Sequence, residues 1–291
     1  MGNLISEEFF KLQKRWITYI LPILLLAYIV FVIQSIYFSY NKMLSLPEGS
    51  VWNLPAILDS IVLPSSMATI FTVMQGVIPL FIIIMVASTV GTEYNWGTIR
   101  HYIARGTSRS NYINSKIITM IAVAAIWILA VIIVGFITCI ITTIYANGEV
   151  DWDFLNVDFI NNIFLYAVRT LLTVAPYLLL TILLVTIFRS STTSIIIGVF
   201  YFFTGPILIG QLSLNGELSE IFQYSLTYNI EQLIAINPFY EHDFSFTYWL
   251  NLPTATQIQP WWQSTIILLG YCLIILSASH YIFRKQDLNT Q

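Results

Sequence analysis

The stretch Ile117–Ile144, IITMIAVAAIWILAVIIVGFITCIITTI, decides the fold class of this chain because it contains no charged side chain. It is also longer than the roughly 20 apolar residues that an α-helix needs to cross the hydrocarbon core of a bilayer. Comparable apolar stretches lie on both sides of it. Together they predict six membrane spans, over residues 16–38, 66–90, 117–144, 163–188, 194–214 and 261–283.

The composition of the whole chain argues against a water-soluble protein. Of its 291 residues, 57% are hydrophobic and only 9% are charged, whereas a typical soluble domain is about 25% charged. Soluble enzymes and disordered tails are therefore excluded, as is a nucleic-acid binder, which needs a basic patch. We predict an all-α membrane protein, because an open sheet cannot satisfy its backbone hydrogen bonds in lipid. No linker or repeat divides the chain, so residues 1–291 are predicted to form one domain.

The distribution of charge predicts how the spans are oriented. Six spans place both termini on one side, which comprises residues 1–15, 91–116, 189–193 and 284–291. These segments carry ten of the 12 Lys and Arg residues, so the positive-inside rule makes this side cytoplasmic in a multi-pass protein of the plasma membrane. The opposite side comprises residues 39–65, 145–162 and 215–260. It holds eleven of the 15 acidic residues, a charge that favours cationic ligands.

Two amphipathic segments accompany the spans. Residues 1–15 repeat apolar side chains every three or four positions, which predicts a helix lying in the cytoplasmic interface. This helix either serves only as an anchor or also contacts a cytosolic partner. Residues 218–236 show a second helical pattern, which predicts a short helix lying on, or dipping into, the outer leaflet before Asn237 and Pro238 end it.

The segment 91–116 between the second and third spans is predicted to form a short helix at the cytoplasmic surface. Its apolar side chains repeat at helical spacing. Gly106 can adopt the left-handed conformation that ends a helix, and Thr107 or Ser108 can cap the helix that follows. One interpretation of this segment is a solvated elbow whose basic residues meet lipid phosphates.

The same segment resembles the loop of type-2 ABC exporter permeases, the transmembrane subunits of ABC transporters. The resemblance rests on Glu93, Tyr94, Gly97, Thr98, Arg100, Arg105, Gly106, Ser108 and Arg109. It implies a coupling helix that docks on a separate ATP-binding subunit. The residues that the resemblance assigns to coupling are Glu93, Tyr94, Trp96, Gly97, Thr98, Arg100, Arg105 and Gly106. Reversing the charge of Glu93 is then expected to abolish coupling while leaving expression intact.

The resemblance also implies the rest of the complex. Two ATP-binding subunits would bind ATP and Mg²⁺, while this chain would hold no cofactor, and a second permease chain would complete a homodimer or a heterodimer. Similar permeases export antimicrobial peptides, drugs, ions or lipid-linked glycans. Of these, the acidic outer side favours a cationic amphipathic peptide, as in bacterial resistance to antimicrobial peptides. The Ile-rich composition is typical of an AT-rich Gram-positive genome.

The sequence offers no catalytic chemistry of its own. It lacks the Walker A, HExxH and GxSxG patterns, which carry ATP hydrolysis, zinc proteolysis and serine hydrolysis. We therefore predict no enzyme activity, no catalytic residue and no metal site, with ATP hydrolysis in the partner chain. Cys139 and Cys272 lie in apolar runs and are interpreted as small core residues.

Arg169 is the one charged side chain within a predicted span. Because no span contains Asp or Glu, the sequence provides no carboxylate for ion-coupled transport, and an ATPase partner is the simpler source of energy. Arg169 either faces the bundle interior, where it holds one state or lines the pathway, or extends to the outer headgroups. The alternative function for the whole chain is a non-transporting six-span sensor or assembly subunit.

Overall fold

The structure is a computed structural model that describes residues 2–45, 54–213, 222–235, 239 and 259–286. Ten α-helices lie within these ranges, and no β-strand does. In chain order the helices are α1 (Gly2–Gln13), α2 (Ile17–Leu44), α3 (Leu54–Asp59), α4 (Ser66–Asn95), α5 (Thr98–Ala104), α6 (Arg109–Asn147), α7 (Val157–Phe188), α8 (Ser191–Ser213), α9 (Leu226–Ala235) and α10 (Trp261–Lys285).

Six of these helices, α2, α4, α6, α7, α8 and α10, are long and apolar enough to cross a membrane. Each overlaps one predicted span, so the prediction of an all-α membrane protein with six spans is confirmed. The helices extend beyond the apolar stretches, most of all α6, because polar residues at the end of a span also satisfy their backbone groups by staying helical. α7 likewise begins at Val157, where the Asn156 side chain accepts a hydrogen bond from the Phe159 amide at 2.8 Å.

α4 and α7 form the centre of the bundle. In the most apolar part of each, 61% of the residues are buried, against 22% in α2 and α10. α4 packs against α2, α6, α7 and α8, while α7 also packs against α10. Between α4 and α7, the rings of the fully buried Phe71 and Tyr166 lie 4.5 Å apart. The exposed apolar faces of α2 and α10 suit contact with lipid.

α1 and the end of α10 meet the segment between α4 and α6 at one end of the bundle, which we call the basic end (residues 2–15, 91–116, 186–191 and 283–286). There Glu8 of α1 forms an ion pair with Lys116 of α6. Arg109 donates hydrogen bonds to backbone carbonyls at the end of α10. This arrangement is the one expected for six spans with both termini on the same side. That the basic end is cytoplasmic stays a prediction of the positive-inside rule.

Of the helix predicted over residues 218–236, the structure has Leu226–Ala235 as α9, while residues 223–225 form a turn, and α9 is not exposed. All ten of its residues are buried, and it packs against α7, α8 and α10. Of the two placements that the sequence left open, on the leaflet or within it, the structure has the helix inside the bundle. The contact with α8 is close, since a Cβ added to Gly205 would lie 2.8 Å from Thr227 Oγ1. Residues 218–221 and Asn237–Pro238 lie outside the described residues.

Gly91 lies at a close contact between α4 and α8, and we expect its replacement by a larger residue to destabilise the protein. An added Cβ would lie 2.5 Å from Ser191 Cβ and 2.6 Å from Ser191 Cα, so Gly91→Ala must push the two helices apart. Overpacking of this kind costs about 1–3 kcal/mol and should lower the Tm of the purified protein in micelles.

Gly270→Ala is the matched control for this prediction. Nothing lies within 4 Å of a Cβ added at Gly270 in α10, and alanine favours a helix over glycine by about 1 kcal/mol. We therefore expect an unchanged or raised Tm for Gly270→Ala. Equal melting temperatures for the two variants would contradict the close packing of Gly91.

Candidate coupling surface

The short helix α5 lies across the basic end between α4 and α6. Gly97 precedes it with φ +64°, and Gly106 follows it with φ +86°. Both angles are left-handed, a conformation that glycine adopts without steric cost. Ser108 then begins α6, where its Oγ accepts a hydrogen bond from the Asn111 amide at 3.2 Å. The predicted helix, its stop at Gly106 and its cap at Ser108 are therefore confirmed.

The inner side of α5 is anchored in the core. Ile99 is only 2% exposed, and Tyr102 and Ile103 are packed against the same cluster of buried apolar residues. The Tyr102 ring lies 6.0 Å from the ring of Tyr112 in α6. These contacts join α5 to α6 in a closely packed region, and packed protein interiors transmit strain.

The outer side of α5 faces away from the bundle. Trp96, just before α5, is 72% exposed, and His101, Ala104, Arg105 and Gly106 are exposed as well. We call these five residues the coupling surface. Of the other residues assigned to coupling, Gly97, Thr98 and Arg100 are partly exposed beside it. Trp96 lies just before α5 and Arg105 just after it, and tryptophan and arginine are both enriched in protein-binding hot spots.

Glu93 and Tyr94, also assigned to coupling, lie behind this surface. Glu93 is 3% exposed and Tyr94 is 5% exposed, so neither side chain can contact a partner in this conformation. Glu93 Oε1 accepts hydrogen bonds from Lys116 and Lys11, and its Oε2 accepts one from the Tyr112 hydroxyl. The expectation that a charge reversal at Glu93 spares expression therefore needs correction, because the reversal would break these contacts.

Four charged side chains form what we call the buried charge cluster, which consists of Glu8, Lys11, Glu93 and Lys116. Lys116 contacts both carboxylates, and Lys11 contacts Glu8 as well as Glu93, the latter at 3.2 Å. Glu8 is 4% exposed and Lys116 is 2% exposed. Two positive and two negative charges make the cluster neutral, which is the condition under which buried charges are tolerated.

The cluster fixes the protonation state of Lys11. Burial lowers the pKa of Lys11, but the Glu93 and Glu8 carboxylates outweigh burial and hold that pKa above its usual range. The Lys11 ammonium also lies 4.3 Å from the centre of the Tyr102 ring in α5. Lys11 therefore stays charged and connects α1 to α4 and to α5.

Arg15 adds a second attachment of the N-terminal segment. Its Nη1 donates hydrogen bonds to Thr92 Oγ1 at 2.7 Å and to the Thr89 carbonyl at 3.1 Å. Together with the buried charge cluster, this contact packs α1 against α4 and α6. The interfacial helix predicted from the sequence is thus also a structural part of the basic end.

The resemblance residues Arg109 and Tyr94 hold the end of α10. Arg109 Nη1 donates to the carbonyls of Phe283, Arg284 and Gln286 at 3.1, 2.6 and 2.9 Å. These carbonyls have no partner within the helix, and the positive charge also complements the helix dipole. The Tyr94 hydroxyl donates to Gln286 Oε1 at 3.3 Å. Their role in the structure is to join α10 to α4 and α6.

Sequence reasoning missed Glu8 and Lys116 as members of the basic end's core. The sequence contains one indication that Glu8 is buried. It is four residues before the buried Leu12 and therefore lies on the same face of α1. Lys116 is likewise flanked by the buried Ile113 and Ile117. Charged residues on the apolar face of a helix usually have a buried partner.

Arg169 lies away from the coupling surface. It is partly exposed on α7 and acts electrostatically on the hydroxyl of buried Tyr166. That hydroxyl lies 2.9 Å from the Ile234 carbonyl oxygen of α9 and 3.2 Å from Gln75 Oε1 of α4, and it donates its one proton between these two acceptors. Arg169 is therefore adjacent to a polar contact among three helices, and its role in a pathway or a state stays a prediction.

Within the described ranges, no group of three or more His, Cys, Asp or Glu side chains could hold a metal ion. The family model described as "Protein of unknown function (DUF2705)" matches residues 27–289. The matched region includes the coupling surface but not α1. No curated protein matches the chain.

Proposed function

The chain belongs to the DUF2705 family, and we propose that it is the transmembrane permease subunit of an ATP-driven ABC exporter. The observation that carries this proposal is the construction of α5. Its ends are fixed by two left-handed glycines, its inner side is packed into the core, and Trp96 and Arg105 are exposed next to its two ends. A short helix of this kind suits the transfer of motion from a cytosolic subunit to the spans.

In the proposed complex, two ATP-binding subunits bind ATP and Mg²⁺ and contact the basic end of two permease chains. The second permease is another copy of this chain or a related one. Closure of the ATP-binding subunits moves the coupling surface, and Ile99 and Tyr102 pass that movement to α4 and α6. The packed helices then switch between two arrangements, as in other bistable assemblies. This chain contributes the pathway and no covalent step.

The charge distribution supports an orientation and a class of substrate for this exporter. With the basic end in the cytoplasm, the acidic residues of the opposite end lie outside. A cationic amphipathic compound, such as an antimicrobial peptide, would be attracted to that side after release, and the same charge disfavours a polyanionic substrate.

The proposal is tested by purifying the chain from cell membranes in a mild detergent. We expect a subunit with a Walker A sequence to co-purify, and Trp96→Ala/Arg105→Glu to reduce its yield at least about tenfold, since truncating a hot-spot residue costs about 2 kcal/mol or more. Asp153→Lys is the control, because Asp153 is exposed at the opposite end. If the wild-type chain retains no ATP-binding subunit, a sensor or assembly subunit becomes the better account.

A further inference from the structure

Glu231 is a carboxyl group enclosed by the bundle. It lies in the middle of α9, which is too short to span a bilayer, and it is 9% exposed. Its Oε2 has no hydrogen-bond partner among the described residues. The surrounding cluster is apolar and includes Ile83, Leu226, Ile230 and Leu268. An ionised carboxylate in such surroundings is costly unless it is paired with a cation.

Among the described residues, the titratable groups that face α9 from α7, α8 and α10 are tyrosines. α7 presents Tyr177, whose hydroxyl lies within electrostatic reach of Glu231, and Tyr166. α8 presents Tyr201, whose hydroxyl is 3.2 Å from Thr227 Oγ1. α10 presents Tyr271, which donates to the Tyr224 carbonyl at 3.0 Å. A neutral tyrosine cannot compensate a carboxylate charge in the way that a lysine or an arginine does.

Among the described residues, no charged side chain of these helices forms an ion pair with Glu231. α8 has none within its described residues. α7 carries Asp158 and Arg169, of which Arg169 is two helical turns, about 12 Å, from Tyr177. The charges of α10 and α4, which are Arg284, Lys285 and Glu93, are at the basic end, as is the α10 histidine, His280, near Asn114 of α6. Burial is accordingly uncompensated, and it raises the pKa of Glu231 to about 7.

We propose that Glu231 is a proton-binding site, loaded while α9 is enclosed by the bundle and unloaded when α9 is exposed toward the acidic end. The ligand is a proton taken up from that end, and its binding converts the carboxylate to the neutral acid. This inference extends beyond the proposed function, because it holds whether or not an ATP-binding subunit docks at the basic end. It also supplies a carboxyl group of the kind that the six apolar stretches predicted from the sequence lack.

Protonation of Glu231 and enclosure of α9 favour each other, so the effect of pH on α9 has a defined direction. When α9 is exposed, a glutamate has its ordinary pKa of about 4.3, whereas the enclosed residue has the raised pKa. Enclosure is therefore favoured fully below about pH 4.3, and this contribution is lost as the pH rises through about 7. A rise in pH across that range therefore shifts α9 toward its exposed state.

The experiment is hydrogen exchange of residues 222–235 in the full chain in lipid nanodiscs, corrected for intrinsic exchange. Between about pH 5.5 and about pH 8, the corrected wild-type exchange should rise at least about tenfold. Glu231→Gln, which imitates the neutral acid, should stay at the low-pH level throughout. Glu149→Gln makes the same chemical change at an exposed acid and should behave as the wild type does.

Two results would overturn the proposal: wild-type exchange that does not respond to pH, or a Glu231→Gln variant with the wild-type response. A second measurement, by infrared spectroscopy, needs only the wild type, so its result does not depend on whether the Glu231→Gln variant folds. The infrared band of a protonated carboxyl should persist above about pH 5.5 and disappear near pH 7. Absence of any band that titrates in this range would equally refute proton binding.

Discussion

Replacing Lys116 with methionine is expected to destabilise the protein by about 3–5 kcal/mol, the cost of removing one partner from a buried ion pair. The substitution leaves Glu8 and Glu93 with only Lys11 between them, so one negative charge stays buried without compensation. Glu93→Gln should also lower the stability of the protein, because it leaves two lysines with one carboxylate. We expect both variants to show a reduced Tm and a reduced yield in the membrane.

The double variant Lys116→Met/Glu93→Gln provides the sharper measurement. It removes one charge of each sign and leaves the neutral pair of Glu8 and Lys11, while the glutamine can still accept the hydrogen bond of Tyr112. Its Tm should exceed that of either single variant. Lys14→Met, at an exposed position of the N-terminal segment, should change stability by less than about 0.5 kcal/mol. Additive losses in the double variant would show that the cluster charges act independently.

The same cluster explains why the sequence predicted the location of α5 but not the burial of Glu93. The glycines before and after α5 and the cap at Ser108 follow from local backbone chemistry, which a short stretch of sequence contains. The burial of Glu93 depends on Lys116 and on Glu8, which approach it only when α6 and α1 pack against α4. A resemblance in the loop could not separate residues that face outward from those that face inward.

The bundle itself was predictable because lipid imposes a strong rule on the chain. Any stretch that crosses the hydrocarbon must be long, apolar and helical, and the six stretches of this chain meet that requirement one by one. This rule does not predict the position of α9, which is too short to cross the hydrocarbon. Its length and its polar residues are those of a surface helix, and only the packing of α7, α8 and α10 around it shows that Glu231 is buried.

Site-specific photo-crosslinking in living cells tests directly whether the coupling surface contacts an ATP-binding subunit. We expect a photoreactive side chain at position 96, 101 or 105 to form an adduct with a protein that carries a Walker A sequence, because Trp96, His101 and Arg105 face away from the bundle. Tyr145 and Trp152 are matched controls, since they are 73% and 49% exposed at the opposite end.

All five positions are exposed, but three lie at the basic end and two at the opposite end. A difference in adduct formation therefore reports on location and not on exposure. We expect the adduct with an ATP-binding subunit from all three positions of the coupling surface and from neither control. Failure of all three positions to capture an ATP-binding subunit, or equal capture from Tyr145 and Trp152, would contradict the assignment of this chain as an ABC exporter permease.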